Sequence, residues 1–334
     1  MNDTTWPMPA STTRADGEPR RVGVEFELQG LTVEALARVA AGALGGSVRG
    51  VSAVEYAVRV PEFDDFRVEV DYDLLKVWAR RQAGGDSEAA IDFEALMVDL
   101  LTAASSVIVP CEVVSPPIPM DRLPAPMARL IKAIRRAGGK GTRHSPLYAF
   151  GVHLNVEPPQ LDGRTLAAYM KAFVCLYDWI VADSKLDMSR RITPYIDPFP
   201  PQYEDLLIDP AYWPDWDKLA VDYLQWNATR NRALDMLPVL ADRDARQVQA
   251  VVTDKLVKPR PAFHYRLANC EIDNEDWSIA SPWRYWLQIE YLAADADALA
   301  DCCKALAADF QGRLLRRMDT DKWCAKVTQW LKKF

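Results

Sequence analysis

Arg21-Val22-Gly23-Val24-Glu25-Phe26-Glu27-Leu28 is the stretch whose reading decides the fold. With a period of two it is a β-strand. Val22, Val24, Phe26 and Leu28 face one side, and Gly23, Glu25 and Glu27 face the other. At roughly 3.3 Å of rise per residue, the two carboxylates stand about 7 Å apart on one face. Unscreened, like charges on a strand face repel. Either they sit in water on a surface strand, or a hard divalent cation holds them, since such cations take carboxylate oxygens. Polar faces on other strands decide between the two.

Two further runs share the pattern. Ser106-Val107-Ile108-Val109-Pro110-Cys111-Glu112-Val113-Val114-Ser115 is apolar on both faces, which predicts a central strand, ended by Pro116-Pro117. Glu112 is its single charge, and a buried Glu is costly unless it is paired or binds a metal. In the strand predicted over 148–157, Phe150, Val152, Leu154 and Val156 share one face. Gly151, His153, Asn155 and Glu157 share the other, and Pro158-Pro159 closes it. Each residue alone has a plain structural reading: His153 as a hydrogen-bonded core residue, Glu112 as the partner of an arginine, Glu157 as a solvated acid beside a turn. Their conjunction on three strands, each with an apolar back, favours a site.

Around these strands the pattern is mixed. Thr32 caps a helix whose stripe is Val33, Leu36, Ala37, Val39, Ala40 and Leu44, stopped at Gly45-Gly46. Strands are predicted over 54–60 and 67–72, the latter turning at Asp71-Tyr72-Asp73-Leu74. A loop at 84–86, a helix over 88–104 and a helix over 122–136, stopped at Gly138-Gly139, follow. Beyond 157 the spacing predicts a helix over 162–184 capped by Asp162, an ordered Pro/Tyr/Trp-rich loop over 190–216 and a helix over 217–237. One or two short strands are expected over 263–272, then a helix capped by Ser281 with Pro282 in its first turn, and a helical end. Gly138-Gly139-Lys140-Gly141-Thr142 lacks the G-x-x-x-x-G-K-[ST] spacing of a phosphate loop and reads as a helix stop.

The chain has 334 residues, 49% of them hydrophobic, enough for one large domain or two small ones. Its net charge of −7 argues against general nucleic-acid binding. No apolar run approaches the ~20 residues that span a bilayer, and the first twenty residues lack the apolar core of a signal peptide. Six cysteines without C-x-x-C spacing predict reduced thiols and a cytoplasmic compartment. His144 and His264 are not in ligand-type spacing with His153, which argues against a metal hydrolase. The expected organisation is a flexible tail over 1–20 and one catalytic domain over 21–334. That domain carries a mainly helical elaboration at about 160–255 and a helical C-terminus at about 282–334.

In order and spacing, the runs Val22-Gly23-Val24-Glu25-Phe26-Glu27, Cys111-Glu112-Val113-Val114-Ser115-Pro116-Pro117-Ile118 and Gly151-Val152-His153-Leu154-Asn155-Val156 resemble the signature strands of the amidoligase family. That family is a branch of the carboxylate–amine ligase superfamily, with glutamine synthetase and glutamate–cysteine ligase. The resemblance spans residues 21–285 and is strongest up to 157. It implies an α+β fold: a curved, mostly antiparallel sheet cradle of glutamine-synthetase-catalytic-domain type, with helices packed on its back. ATP and two or more Mg²⁺ would lie in the cradle. Carried over by position, Glu25, Glu27, Glu112, His153 and Glu271 would be metal ligands. His153, Asn155 and Arg266 would bind the nucleotide, and Asp71 would sit near the substrate end.

The family usually ends its core with a Glu-x-Arg strand. Here Asn269-Cys270-Glu271-Ile272-Asp273 puts Asp273 where the Arg is expected. Arg190, Arg191, Arg230, Arg232 and Arg266 are candidates to replace it. Each reads as a surface charge by default, except Arg266, on a predicted strand beside His264 and Asn269. Arg266 and Asp71 are therefore the expected catalytic residues. The implied function is an ATP-dependent carboxylate–amine ligase acting through an acyl phosphate. It would join a small-molecule or peptide carboxylate to an amine, with no nucleic-acid or membrane partner. Such phosphoryl transfer is catalysed by positioning and by neutralising oxygen charge. Two alternatives stay open: a phosphotransferase on the same fold, and a degenerate nucleotide- or metal-binding protein, which Asp273 makes thinkable.

Overall fold

The structure is a computed structural model that describes residues 6–71, 109–142, 150–191, 196–253, 257–313, 316–318 and 320–333. The expectations for the turn at 72–74, the loop at 84–86, the helix at 88–104 and the first residues of the 106–115 strand lie outside the described residues, as does His144.

β1 (Arg21–Leu28) takes the centre of a single sheet because its apolar residues have nowhere else to go: Val22, Val24, Phe26 and Leu28 are all fully buried. On one side of it lie β5 (Cys111–Val114), β4 (Phe66–Val70), β3 (Glu55–Arg59) and the edge strand β2 (Ser47–Ser52). On the other lie β7 (Val152–Val156), β9 (Phe263–Tyr265) and the edge strand β8 (Leu234–Asp235). The short β6 (Ile118–Pro119) pairs with the start of β1. Every one of these ladders is antiparallel. β2 escaped the sequence reading because all six of its residues are exposed, so it has no alternation to detect.

Helices cover the apolar face. α1 (Val33–Leu44) is capped by Thr32, whose side chain accepts from Ala35 N at 3.2 Å. It ends at Gly45, whose φ of 68° suits a residue without a Cβ. It packs on α2 (Pro124–Arg136), which stops before Gly138 at φ 93°. α3 (Gly163–Asp183) is capped by Asp162, which accepts from Thr165 N at 2.8 Å. By length and composition α3 could cross a membrane, against the expectation that no apolar run approaches that length. In this fold it is a core helix, with 67% of its apolar window buried. Its Tyr169 stacks on Phe263, and its Phe173 meets Tyr265 edge-on. The result is a mixed α+β fold with one open antiparallel sheet.

Four expectations are corrected. The 190–216 segment is not a loop throughout: α4 (Met188–Arg191) and α5 (Pro201–Ile208) lie in it, the latter started by a proline at its first position. The helix expected over 217–237 is α6 (Trp216–Trp226), and the chain beyond it becomes β8 and then α7 (Leu237–Gln249). α8 (Ala280–Ala294) begins one residue before Ser281, with Ile279 at its cap position and Pro282 inside its first turn. After it come α9 (Ala296–Gln311) and α10 (Asp321–Val327).

The fourth correction concerns the N-terminal segment. Residues 6–9 and Arg20 are packed against the domain, although most of the residues between them are exposed. Trp6 stacks on Trp283 with ring centroids 5.4 Å apart. Trp283 Nε1 donates to Pro7 O at 2.8 Å, and Tyr291 OH donates to Met8 O at 2.6 Å. Arg20 is fully buried, with Nη2 2.6 Å and Nη1 3.1 Å from the Glu290 carboxylate and Nε donating to Glu157 O. Tyr169 OH and Trp286 Nε1 also donate to Glu290.

Removing one member of such a pair leaves a buried charge without its counter-ion. Arg20→Met should lower stability by about 3–5 kcal/mol, read by urea denaturation. A loss under about 1 kcal/mol, the range of an exposed pair, would show that the pair does not anchor this segment.

Candidate functional site

Cross-strand partners share a face, so the register lines the polar side chains up in rows. One row runs Glu55, Glu69, Glu112, Glu27, and Gly151 O accepts from Glu27 N beyond it. The next runs Arg67, Val114, Glu25, His153. A third runs Gly23, Asn155, His264, Asp235. Glu25, Glu27, Glu112, His153 and Asn155 therefore meet on one face. Asp71 follows β4 directly and is close enough for its charge to act on both Glu27 and Glu112.

Glu25 is the most heavily coordinated of the acids. Its Oε1 accepts from Asn155 Nδ2 at 2.8 Å, and its Oε2 is 3.0 Å from His153 Nδ1. Arg260 Nη2 and His264 Nε2 lie 3.8 and 3.6 Å away. Burial opposes its ionisation, but His264, His153 and Arg260 together hold its carboxyl well below the usual carboxylate range. Glu27 differs although it is two residues away. Burial, then the Asp71 charge, pushes it up to about 8 against the pull of Arg190. Glu112 is raised well above its ordinary value by burial and then by Glu25 and Asp71. Burial lowers the His153 imidazole to about 4 and raises Asp235 to about 6. Among the described residues the β4–β5–β1 half of the face is thus rich in acids, with Arg67, 2.8 Å from Glu69, as a counter-ion. The β7–β9–β8 half carries Arg260 and Arg266, with Arg190 behind.

The remaining expected residues separate. Arg266 Nη2 lies 4.0 Å from Asp235 and 3.5 Å from His264 Nδ1, on the site. Arg190 is not a surface charge but only 2% exposed. Its Nη2 donates to Arg266 O at 2.8 Å and its Nη1 to Ala268 O. It lies directly over Gly151, where a Cβ would come within 2.5 Å of Nη2, so any other residue there would displace the guanidinium. Arg232 instead holds Pro198 O and Trp226 O, away from the site. Asp273 accepts from Gly141 N at 3.0 Å and pins the turn after α2. Glu271 has a local partner. It accepts from Asn274 Nδ2 at 3.0 Å and lines a separate cavity with Asp183, Trp277 and Tyr285. Glu157 is buried rather than solvated, accepting from Arg21 N at 2.8 Å.

Sequence reasoning missed Glu69, Arg67, Arg260, Asp235 and His264. The last was readable in part, since His264 and Arg266 alternate on a predicted strand. Spacing along the chain argued against a shared metal group, yet pairing of β9 with β7 sets the His264 and His153 rings 5.0 Å apart. One ligand-type atom from each of Glu25, His153 and His264 falls within 4.8 Å of the others.

The donor set fits a divalent cation. Glu27 is a buried and Glu112 a half-buried carboxylate on adjacent strands, and carboxylates with one imidazole are ligands such a cation accepts. The family model described as "Putative amidoligase enzyme" matches residues 18–288. Searches of curated proteins and of solved structures give no match.

Because Glu27 titrates near 8 when folded and near about 4.3 when unfolded, the folded state binds more protons between those values. Stability should therefore fall as pH rises across that window, by at most about 1.4 kcal/mol per pH unit. Glu27→Gln, whose carbonyl still accepts from Gly151 N, should flatten the slope. Thermal melts in metal-free buffer across about pH 5 to 8 read this, and identical slopes in the two proteins would contradict it.

Proposed function

Because this chain belongs to the amidoligase family, we propose that it is an ATP-dependent ligase that joins a carboxylate to an amine through an acyl phosphate. The observation that carries the reading is the division of one sheet face into an acidic half and an arginine-bearing half, meeting at Glu25 and His153. A triphosphate delivered with divalent cations needs both: acids to hold the cations, and guanidinium groups at the transferring oxygens. Mg²⁺, when bound, would supply charge neutralisation at the phosphate oxygens.

The chain's own residues do the positioning. Glu27 and Glu112, with His153 beside them, would hold the cations. Arg266 and Arg260 would bind and orient anionic oxygens, for which their planar forks suit paired contacts. Arg266 Nε is buried without a hydrogen-bond partner among the described residues, so a donor is left to spend there. Arg190 fixes the Arg266 main chain from behind. A substrate carboxylate oxygen attacks the γ-phosphorus and ADP leaves. The amine nitrogen then attacks the acyl carbon, phosphate leaves, and the proton lost by the nitrogen passes to Asp71 at the acidic end.

With ATP, Mg²⁺ and pooled amino acids and small amines, the protein should release free phosphate in step with amide formation. Glu27→Gln and Arg266→Ala should each lower turnover by at least about 100-fold. A stable phosphorylated product in place of free phosphate would mean a phosphotransferase, and nucleotide binding without turnover would mean a degenerate binding protein.

A further inference from the structure

Resting on the cation-binding part of that reading, we propose that Glu25 is a positioning residue rather than a ligand. Its carboxylate turns the His153 ring so that Nε2, together with Glu27 and Glu112, meets a divalent cation between β5, β1 and β7.

The oxygens of Glu25 are already engaged. Oε1 accepts from Asn155 Nδ2, and Asn155 is itself oriented, because Arg260 Nε donates to its Oδ1 at 3.0 Å. That bond turns the Asn155 amide nitrogen toward Glu25. Oε2 faces His153 Nδ1 at 3.0 Å. An ionised carboxylate only accepts, so Nδ1 carries the ring proton. Nε2 is left as a lone pair, and it lies 3.2 Å from Glu27 Oε1. Two acceptors at that distance need a proton or a cation between them. A cation serves Glu112 as well, since Glu112 lies directly across from Glu27 in the β1–β5 ladder.

The cluster of Glu25, His153 and His264 is the obvious rival position, and its hydrogen bonds argue against it. Arg260 Nη2 is 2.8 Å from His264 Nδ1. A guanidinium only donates, so Nδ1 accepts and His264 Nε2 carries the proton. That N–H lies 3.6 Å from Glu25, beyond hydrogen-bond reach, and offers no lone pair. A metal ion there would also sit beside the Arg260 charge, 3.8 Å from Glu25. Both oxygens of Glu25 thus face the protein's own donors, whereas among the described residues Glu27 takes the Gly151 N–H on Oε2 alone and Glu112 is hydrogen-bonded to another acid, Glu69.

A carboxylate behind a ligating imidazole fixes its tautomer and raises its basicity, and losing such a partner typically costs about 10–100-fold in metal affinity. One imidazole with two carboxylates also favours Mn²⁺ over Mg²⁺.

The test titrates Mn²⁺ into the full chain without nucleotide and reads free Mn²⁺ by electron paramagnetic resonance, with Mg²⁺ as competitor. Wild type should bind Mn²⁺ in preference to Mg²⁺, and His153→Gln should lose the preference. Glu27→Gln should lose at least about 100-fold, Glu25→Ala about 10–100-fold, and Glu25→Gln, whose carbonyl still accepts from Nδ1, no more than about tenfold. Nitrogen-15 spectra of the imidazoles should show His153 protonated at Nδ1 in wild type and Glu25→Gln, and a tautomer mixture in Glu25→Ala. A merely structural Glu25 would not move that signature. Equal losses in Glu25→Gln and Glu27→Gln would make Glu25 a ligand and overturn the proposal while sparing the ligase reading. Wild-type protein that binds no Mn²⁺ would overturn the cation site itself.

Discussion

Carboxylates that share one face of a β-sheet must coexist, and this constraint shapes the rest of the molecule. Glu69, Glu112 and Glu27 sit opposite one another on adjacent strands, with Arg67 paired to Glu69. Left alone, they would push the strands apart or turn outward. They do neither, because the other face of the same strands is a continuous apolar layer. Val68, Val113, Phe26 and Val152 are completely buried there, and slipping the register by one residue would expose them all. Hydrophobic burial on the back thus holds electrostatic tension on the front. Burial first, and the neighbouring acids second, raise the proton affinity of Glu27 and Glu112 in the protein alone.

The second half of the face is built to relieve the first. Arg260 donates to Asn155 and His264, and through them its charge is spread along the row next to Glu25. Arg190 reaches the site from a different direction, carried by the short helix that follows α3. Gly151 gives it a seat, and Asn269 ties the segment down by accepting from Asp187 N at 3.2 Å. The glycine of the Gly151-x-His153-x-Asn155 run therefore has a packing reason separate from the chemistry of its neighbours. Asp273 also acquires a reason: it holds the turn at Gly141, while guanidinium groups from other segments occupy the site.

Where the sequence was legible, the pattern was local. Alternation along β1, β5 and β7 identified the strands and sorted each residue to a face. Asp162 and Thr32 read correctly as caps because a cap involves only the next three residues. Prolines and aromatics at 196–216 misled, since Pro201 starts a helix as readily as it breaks one. The N-terminal segment misled for a related reason. Its polar composition hid Trp6, Met8 and Arg20, whose partners Trp283, Tyr291 and Glu290 lie more than two hundred residues away.

By itself the sequence determined the apolar backs, the polar fronts and the identity of Glu25, Glu27, Glu112, His153 and Asn155, because side-chain period is a property of one strand. Only the tertiary structure decided that Glu69, Arg260 and His264 belong with them, that Asp273 holds the turn at Gly141, and that two glutamates two residues apart meet opposite fates. Those facts depend on strand order and on which donors cross from neighbouring strands. Electrostatic energy is set by distance through space, and no spacing along the chain encodes that.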